Sequence, residues 1–247
     1  MTYEQDHHST HISQQFNDEL EQVRTELLTM GGIVERQVTD AIEALIEGDA
    51  ELAEQARKND QIINDMELMI DEQCTRIIAR RQPAAADLRL IIAISKTISD
   101  LERMGDEASR ICRHAIELAD ENGKGRGYQE VRHIGNLVRQ MLQDCLTAFA
   151  RSDAEMAYKV AKKDKSVDQE YRTAMRTLVT FMMEDPRSIS NVMNVIWVLR
   201  SLERIGDHTC NMAEHLIYLV SGTDVRHSSL SDIKKTVRQH DADEKNS

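Results

Sequence analysis

Apolar positions recur along this chain at alternating steps of three and four. Ile91, Ile94, Ile98, Leu101, Gly105, Ala108, Cys112 and Ala115 form one such series; Val192, Val195, Leu199, Leu202, Gly206, Thr209, Ala213 and Leu216 form another. This spacing marks the seam of a helix packed against antiparallel neighbours. Breakers divide the pattern into helices over 13–47, 50–81, 84–120, 129–151, 153–184 and 187–221. Pro83 and Pro186 each stand where one helical pattern stops and the next opens, since proline is tolerated in a helix's first turn. Asp49 and Asp153 are placed to cap the second and fifth helices. Residues 1–12 and 222–247 are polar and aperiodic, and they read as flexible tails. A glycine-rich stretch, Asn122-Gly123-Lys124-Gly125-Arg126-Gly127, opens a linker over 122–128.

The linker separates two halves, 13–121 and 129–221, that resemble each other. Asp100-Leu101-Glu102-Arg103-Met104-Gly105-Asp106 aligns with Ser201-Leu202-Glu203-Arg204-Ile205-Gly206-Asp207, and the same offset pairs His114 with His215. Upstream, Gly48-Asp49-Ala50-Glu51 echoes Ser152-Asp153-Ala154-Glu155. The fold class that follows is all-α, with two tandem antiparallel three-helix bundles related by internal duplication. Composition supports it. Only 10 Gly and 2 Pro among 247 residues leave too little punctuation for an all-β fold, and 4% aromatics make the core aliphatic.

Charge and cysteines narrow the function classes. Lys plus Arg is 31 against 43 Asp plus Glu, a net charge of −12 that disfavours nucleic-acid binding and direct contact with anionic lipid headgroups. The four cysteines lie far apart with no C-x-x-C, which argues for a reducing cytoplasm and against a disulfide or zinc framework. No apolar run approaches the ~20 residues of a membrane span.

The chemistry lies in repeated carboxylates. Glu102 and Asp106 are four apart on a helix and project together, as do Glu203 and Asp207. Like charges at this spacing repel, yet the pair recurs at the same place in each half; a bound cation reverses the sign. Gly105 and Gly206 stand on seam positions where a mid-helix glycine costs ~0.5–1 kcal/mol relative to alanine, so each opens room or permits close approach. Asp60 with Asn64 on the second helix, and Asp164 with Asp168 on the fifth, are placed to complete each site. Asn64 leaves the first site one charge short. An oxygen-only donor set suits Mg²⁺ or Mn²⁺, and clustered carboxylates also hold iron.

A bland reading competes at every position. A single E-x-x-x-D is ordinarily a solvated helix face, and Arg110 is spaced to pair with Asp106. Asp100, replaced by Ser201 in the second copy, and Glu107, replaced by His208, are unrepeated and read as solvated face. His114 and His215 lie too far along the helix to reach the same ion and read as packed or partly exposed histidines. His7, His8 and His11 belong to the tail. The methionine-rich faces and the cysteines read as core filler.

The paired L-E-R-[MI]-G-D motifs, the R-Q-P-x-x-x-D-L-R stretch at 81–89 and the duplicated three-helix pattern resemble the PhoU family of bacterial phosphate-signalling regulators. The segments Ser13-Gln14-Gln15-Phe16-Asn17 and Thr29-Met30-Gly31-Gly32 look like it too, so the likeness runs over most of the chain. The resemblance implies metal held by the E-x-x-x-D carboxylates, in some members as multinuclear iron clusters. By position these are Glu102, Asp106, Glu203 and Asp207, with acidic residues of the second and fifth helices completing the sites. It further implies a non-enzymatic cytoplasmic adaptor that commonly dimerises. Such an adaptor links the phosphate-specific ABC transporter to the sensor histidine kinase of the phosphate regulon and restrains both kinase signalling and phosphate uptake.

Two other classes remain open on the residues alone. A carboxylate-bridged di-iron oxidoreductase needs two Glu-x-x-His motifs on core helices. Only Glu130-x-x-His133 falls within a helical pattern, near its start, and Glu4-x-x-His7 lies in the tail. A purely structural bundle is the third reading.

Overall fold

The computed structural model describes residues 3–119 and 127–246, apart from the side chains of 3–13, 241 and 243–246. Seven helices follow in chain order: α1 (Tyr3–Glu47), α2 (Ala50–Arg81), α3 (Ala85–Ala119), α4 (Tyr128–Arg151), α5 (Ala154–Glu184), α6 (Ile189–Ser221) and α7 (Leu230–Asn246). No strand occurs among the described residues.

Local chemistry explains the boundaries. Asp49 Oδ1 accepts from the Leu52 amide at 2.9 Å, and Asp153 Oδ1 from the Met156 amide at 2.8 Å, so each satisfies an amide that the helix itself leaves free. Pro83 sits in the short turn between α2 and α3, where Gln82 takes the left-handed conformation as C-cap. Pro186 opens a single 3-10 turn, Pro186–Ser188, ahead of α6. Of the linker expected at 122–128, residues 122–126 lie outside the described residues; Gly127 follows at φ 96° and α4 begins at Tyr128.

Both chain ends depart from the expected tails. α1 begins at Tyr3, so helical backbone continues through the segment read as aperiodic. Beyond 221 the chain turns back as α7 and packs on α5 and α6, burying Val225, Ile233 and Val237. Ile233 and Val237 are four apart, one narrow apolar stripe that an otherwise polar window hides.

α1, α2 and α3 pack together as one bundle and α4, α5 and α6 as the other, with α3 against α6 the most extensive contact in the molecule and α1 against α4 beside it. Leu27, Met30, Ile63, Ile94, Leu101, Phe149, Leu178, Leu199 and Leu202 belong to one continuous aliphatic core that spans both bundles.

At the α3–α6 contact the core is interrupted by a polar seam. Asp100, 4% exposed, faces His208 and His215: His208 Nδ1 lies 2.9 Å from Oδ1 and His215 Nε2 lies 3.2 Å from Oδ2. Asn211 Nδ2 also donates to Oδ1, at 3.2 Å. Glu107, 3% exposed, accepts from Ser201 Oγ and Arg110 Nη1, each at 2.8 Å, and meets Arg204 Nε at 3.1 Å. Rising numbers on α3 meet falling numbers on α6, so the two helices cross antiparallel. The contacts are crossed: Asp100 meets the counterpart of Glu107, and Glu107 meets the counterpart of Asp100. This corrects the reading of Asp100 and Glu107 as solvated. Burial opposes ionisation of Asp100, but the bonds from His208, His215 and Asn211 outweigh it and hold the carboxyl down at about 2.

Removing one member of such a buried set leaves the others desolvated and unpaired. Asp100→Ala is therefore expected to lower unfolding stability by about 3 kcal/mol in a denaturant titration, whereas exposed Asp65→Ala changes it by under about 0.5 kcal/mol. The Asp100 carboxyl lies at about 2 against an ordinary 3.8, so the native state binds fewer protons in that interval. Its stabilisation is complete above pH ~4 and is lost as pH falls toward ~2; acid unfolding of the alanine variant should lack that limb.

Candidate functional site

With the seam turned inward, the adjacent face of α3 carries Glu102 and Asp106 toward α2, and the matching face of α6 carries Glu203 and Asp207 toward α5. In the second half, oxygens of Asp168, Glu203 and Asp207 all lie within 4.8 Å of one another. Asp164 joins them electrostatically: burial first, then repulsion from Asp207, Asp168 and Glu203, pushes its carboxyl up to about 6. Burial and the charge of Asp207 raise Glu203, and burial and the charge of Asp168 raise Asp207. Mutual repulsion in a half-buried notch is the condition that a cation relieves.

The first half is looser. Glu102 is raised by burial and then by Asp106, Glu67 and Asp60, so these carboxylates feel one another. They form no converged trio like that of the second half among the described residues. Asp60 Oδ1 and Asn64 Oδ1 are buried without a hydrogen-bond partner, two acceptor oxygens on the α2 face opposite Glu102.

Gly105 acts by close approach. A Cβ on Gly105 would stand 3.1 Å from Ile63 Cδ1 and 3.3 Å from Gln37 Oε1, so α2 packs directly onto this point of α3. At Gly206 the nearest groups are Val167 Cγ1 at 3.5 Å and Asp164 Oδ1 at 3.6 Å. Both are ordinary van der Waals distances, so this notch, unlike that at Gly105, has room for a Cβ beside the Asp164 carboxylate.

All seven acidic residues singled out by spacing thus lie on the α2–α3 and α5–α6 faces. Sequence reasoning missed Glu67, seven after Asp60, whose Oε1 accepts from Ser99 Oγ at 2.9 Å. It also missed Glu214, seven after Asp207, which acts on Asp164 and is itself raised by burial. Both lie two turns on along the same helical face, the signal that could have found them. Arg110 binds Glu107 rather than Asp106. His215 belongs to the seam, and His114 Nδ1 lies 3.4 Å from Glu117. His133 is exposed and faces Glu170 at 3.7 Å across the α4–α5 surface. The side chains of Glu4 and His7 lie outside the described residues. No helix among the described residues is long and apolar enough to cross a membrane.

Comparison with known proteins agrees with the duplication. The family model described as "PhoU domain" matches twice, over residues 27–115 and 131–216. The chain is 63% identical over 230 residues to a phosphate-specific transport system accessory protein PhoU homolog of Pseudomonas aeruginosa, covering 93% of this chain and 95% of that one. It is 46% identical over 233 residues to the accessory protein PhoU of Escherichia coli, covering 94% and 96%. Among solved structures, PhoU from Pseudomonas aeruginosa superposes with a TM-score of 0.82 at 63% identity, over 84% of this chain and 100% of that one. The phosphate transport system regulatory protein PhoU from Streptococcus pneumoniae gives 0.78 at 32% identity, over 85% and 99%. These names are those of accessory and regulatory proteins, not of enzymes.

The raised carboxyl of Asp164 yields a pH prediction for metal-free protein. Its pKa of about 6 lies above the ordinary 3.8, so the native state binds more protons between these values and stability declines as pH rises through them. Asp164→Asn is expected to raise the thermal midpoint at pH 7.5 in the presence of EDTA, with the gain shrinking below pH ~4.

Proposed function

The chain belongs to the PhoU family, and from that membership we propose that it is a metal-binding, non-enzymatic accessory protein of a phosphate-specific transport system, acting as a negative regulator of the phosphate response. The observation that carries the metal reading is the convergence of Asp168, Glu203 and Asp207 from facing helices beside Asp164, with the carboxyls of Asp164, Glu203 and Asp207 raised by burial and then by neighbouring negative charge. The donors present fit a hard cation. They are all oxygen, and in the first half two of them, Asp60 Oδ1 and Asn64 Oδ1, are buried with no partner in the protein. Glu102, Asp106, Asp60 and Asn64 hold the ion in the first half, and Glu203, Asp207, Asp164 and Asp168 in the second. Mg²⁺, Mn²⁺ and iron all suit this set. The bound cation supplies positive charge that cancels the repulsion across α2–α3 and α5–α6 and fixes the spacing of those helices.

The regulatory reading rests on kinship. As in the family, the protein joins the ATPase of the phosphate ABC transporter to the sensor histidine kinase in the cytoplasm. It restrains both when phosphate is plentiful. Rigid helical faces serve contact between proteins, and an acidic surface suits basic patches on partners. Membrane association runs through those partners or the metal, and the working unit is a homodimer. A di-iron oxidoreductase is not favoured: the single described Glu-x-x-His ends in an exposed His133 that faces Glu170 on the α4–α5 surface.

Elemental analysis of purified wild-type protein should find metal that the Glu102→Ala/Glu203→Ala double variant lacks; equal content in both removes the metal reading. Deletion of the gene in its host should switch on phosphate-starvation genes in phosphate-rich medium, and continued silence of those genes contradicts the regulatory role.

A further inference from the structure

The two acidic notches differ in what already neutralises them. In the second half Arg200, one turn before Glu203 on α6, places Nη1 2.8 Å from Oε1 and 2.7 Å from Oε2 of Glu203, so one nitrogen bridges both carboxylate oxygens. Glu203 is 12% exposed at its side chain and Arg200 49%, so the carboxylate is held in the notch while the guanidinium reaches in from solvent. The Glu203 carboxylate supplies one of the three oxygens that converge with Asp168 and Asp207. A guanidinium nitrogen seated between the two oxygens occupies the chelating edge of the carboxylate, so a cation takes that edge only by displacing it.

The counterpart of Arg200 in the repeat is Ser99, a neutral residue that donates to Glu67; among the described residues no cation stands at salt-bridge distance from Glu102, on which Arg103 acts only from farther off. The remaining arginines around the second notch are engaged otherwise. Arg204 lies against Glu107 in the seam, and Arg172 lies 4.0 Å from Asp168 with its side chain 74% exposed, too far to hydrogen-bond.

We propose that Arg200 is a resident counter-ion that a metal must displace from Glu203, so that loading of the second-half site is a competition between this guanidinium and the ion, while the first-half site loads without one. The inference rests on the metal reading above. It gives the sites unequal responses to metal supply: the better-converged one is held back by its own arginine, and the looser one is open. Because Arg200 is half exposed, it swings into solvent when displaced, at the modest free energy of an accessible ion pair.

The test measures Mn²⁺ affinity of the second site alone, by electron paramagnetic resonance titration of full-length protein carrying Glu102→Ala and Asp106→Ala. In that background Arg200→Gln is expected to tighten Mn²⁺ binding about two- to fivefold. Arg200→Lys, which keeps the charge but loses the planar fork, falls between. Arg172→Gln leaves affinity unchanged, which separates displacement of a bonded guanidinium from a general effect of nearby positive charge. Circular dichroism checks that each variant folds. Affinity unchanged or weakened by Arg200→Gln overturns the proposal, as does equal tightening by Arg172→Gln. Absence of Mn²⁺ binding throughout removes the metal reading as well, whereas binding that Arg200→Gln fails to tighten removes this inference alone.

Discussion

The structure depends on two carboxylates buried where its halves meet. An apolar α3–α6 interface would tolerate sliding by a turn, because aliphatic side chains at alternating steps of three and four repack with little penalty. Asp100 and Glu107 remove that freedom. Each is desolvated, and Asp100 finds its donors only when His208, His215 and Asn211 stand over it, while Glu107 adds Ser201 and Arg204 to the Arg110 of its own helix. A shift of one turn strands the Asp100 carboxylate and strips Glu107 to one donor, an outcome far less favourable than the pairing itself is favourable. The seam therefore contributes register more than strength.

Register at the seam is what gives the acidic notches their geometry. Asp100 is two residues from Glu102, and Glu107 adjoins Asp106; on α6, His208 adjoins Asp207 and Arg204 adjoins Glu203. Rotation of α3 or α6 that would relax the crowded carboxylates is blocked by their neighbours in the seam. The close approach at Gly105 holds α2 against α3. Repulsion is thus retained in the fold, legible in the raised carboxyls of Glu102, Asp164, Glu203 and Asp207. The cation proposed for these notches would meet a site already assembled.

The duplication produces two notches of the same plan but different settings. Asn64 replaces a carboxylate in the first, where Glu67 adds charge one turn on. In the second, Asp168 restores the full set while Arg200 covers Glu203. If both notches take a cation as proposed, the unequal settings would let one rigid frame respond to more than one level of metal.

The helices, their caps at Asp49 and Asp153, the two-fold repeat and the acidic residues of both notches were legible in the sequence, because each is a matter of local period or of a pattern stated twice. α7 was not, since two buried aliphatic residues four apart do not stand out from a polar tail. The seam could not have been read by the same logic. In a duplicated pair that crosses antiparallel, each position meets the counterpart of a different position, and identical copies would set Asp against Glu. Favourable contact required the copies to diverge at Ser201 and His208, so two of the residues that join the halves are ones that failed to repeat, beside Arg204 and His215, which did. Sequence alone determined which carboxylates share a helical face; only the tertiary structure decided which unrepeated charges are buried, because that depends on which helix comes to stand opposite.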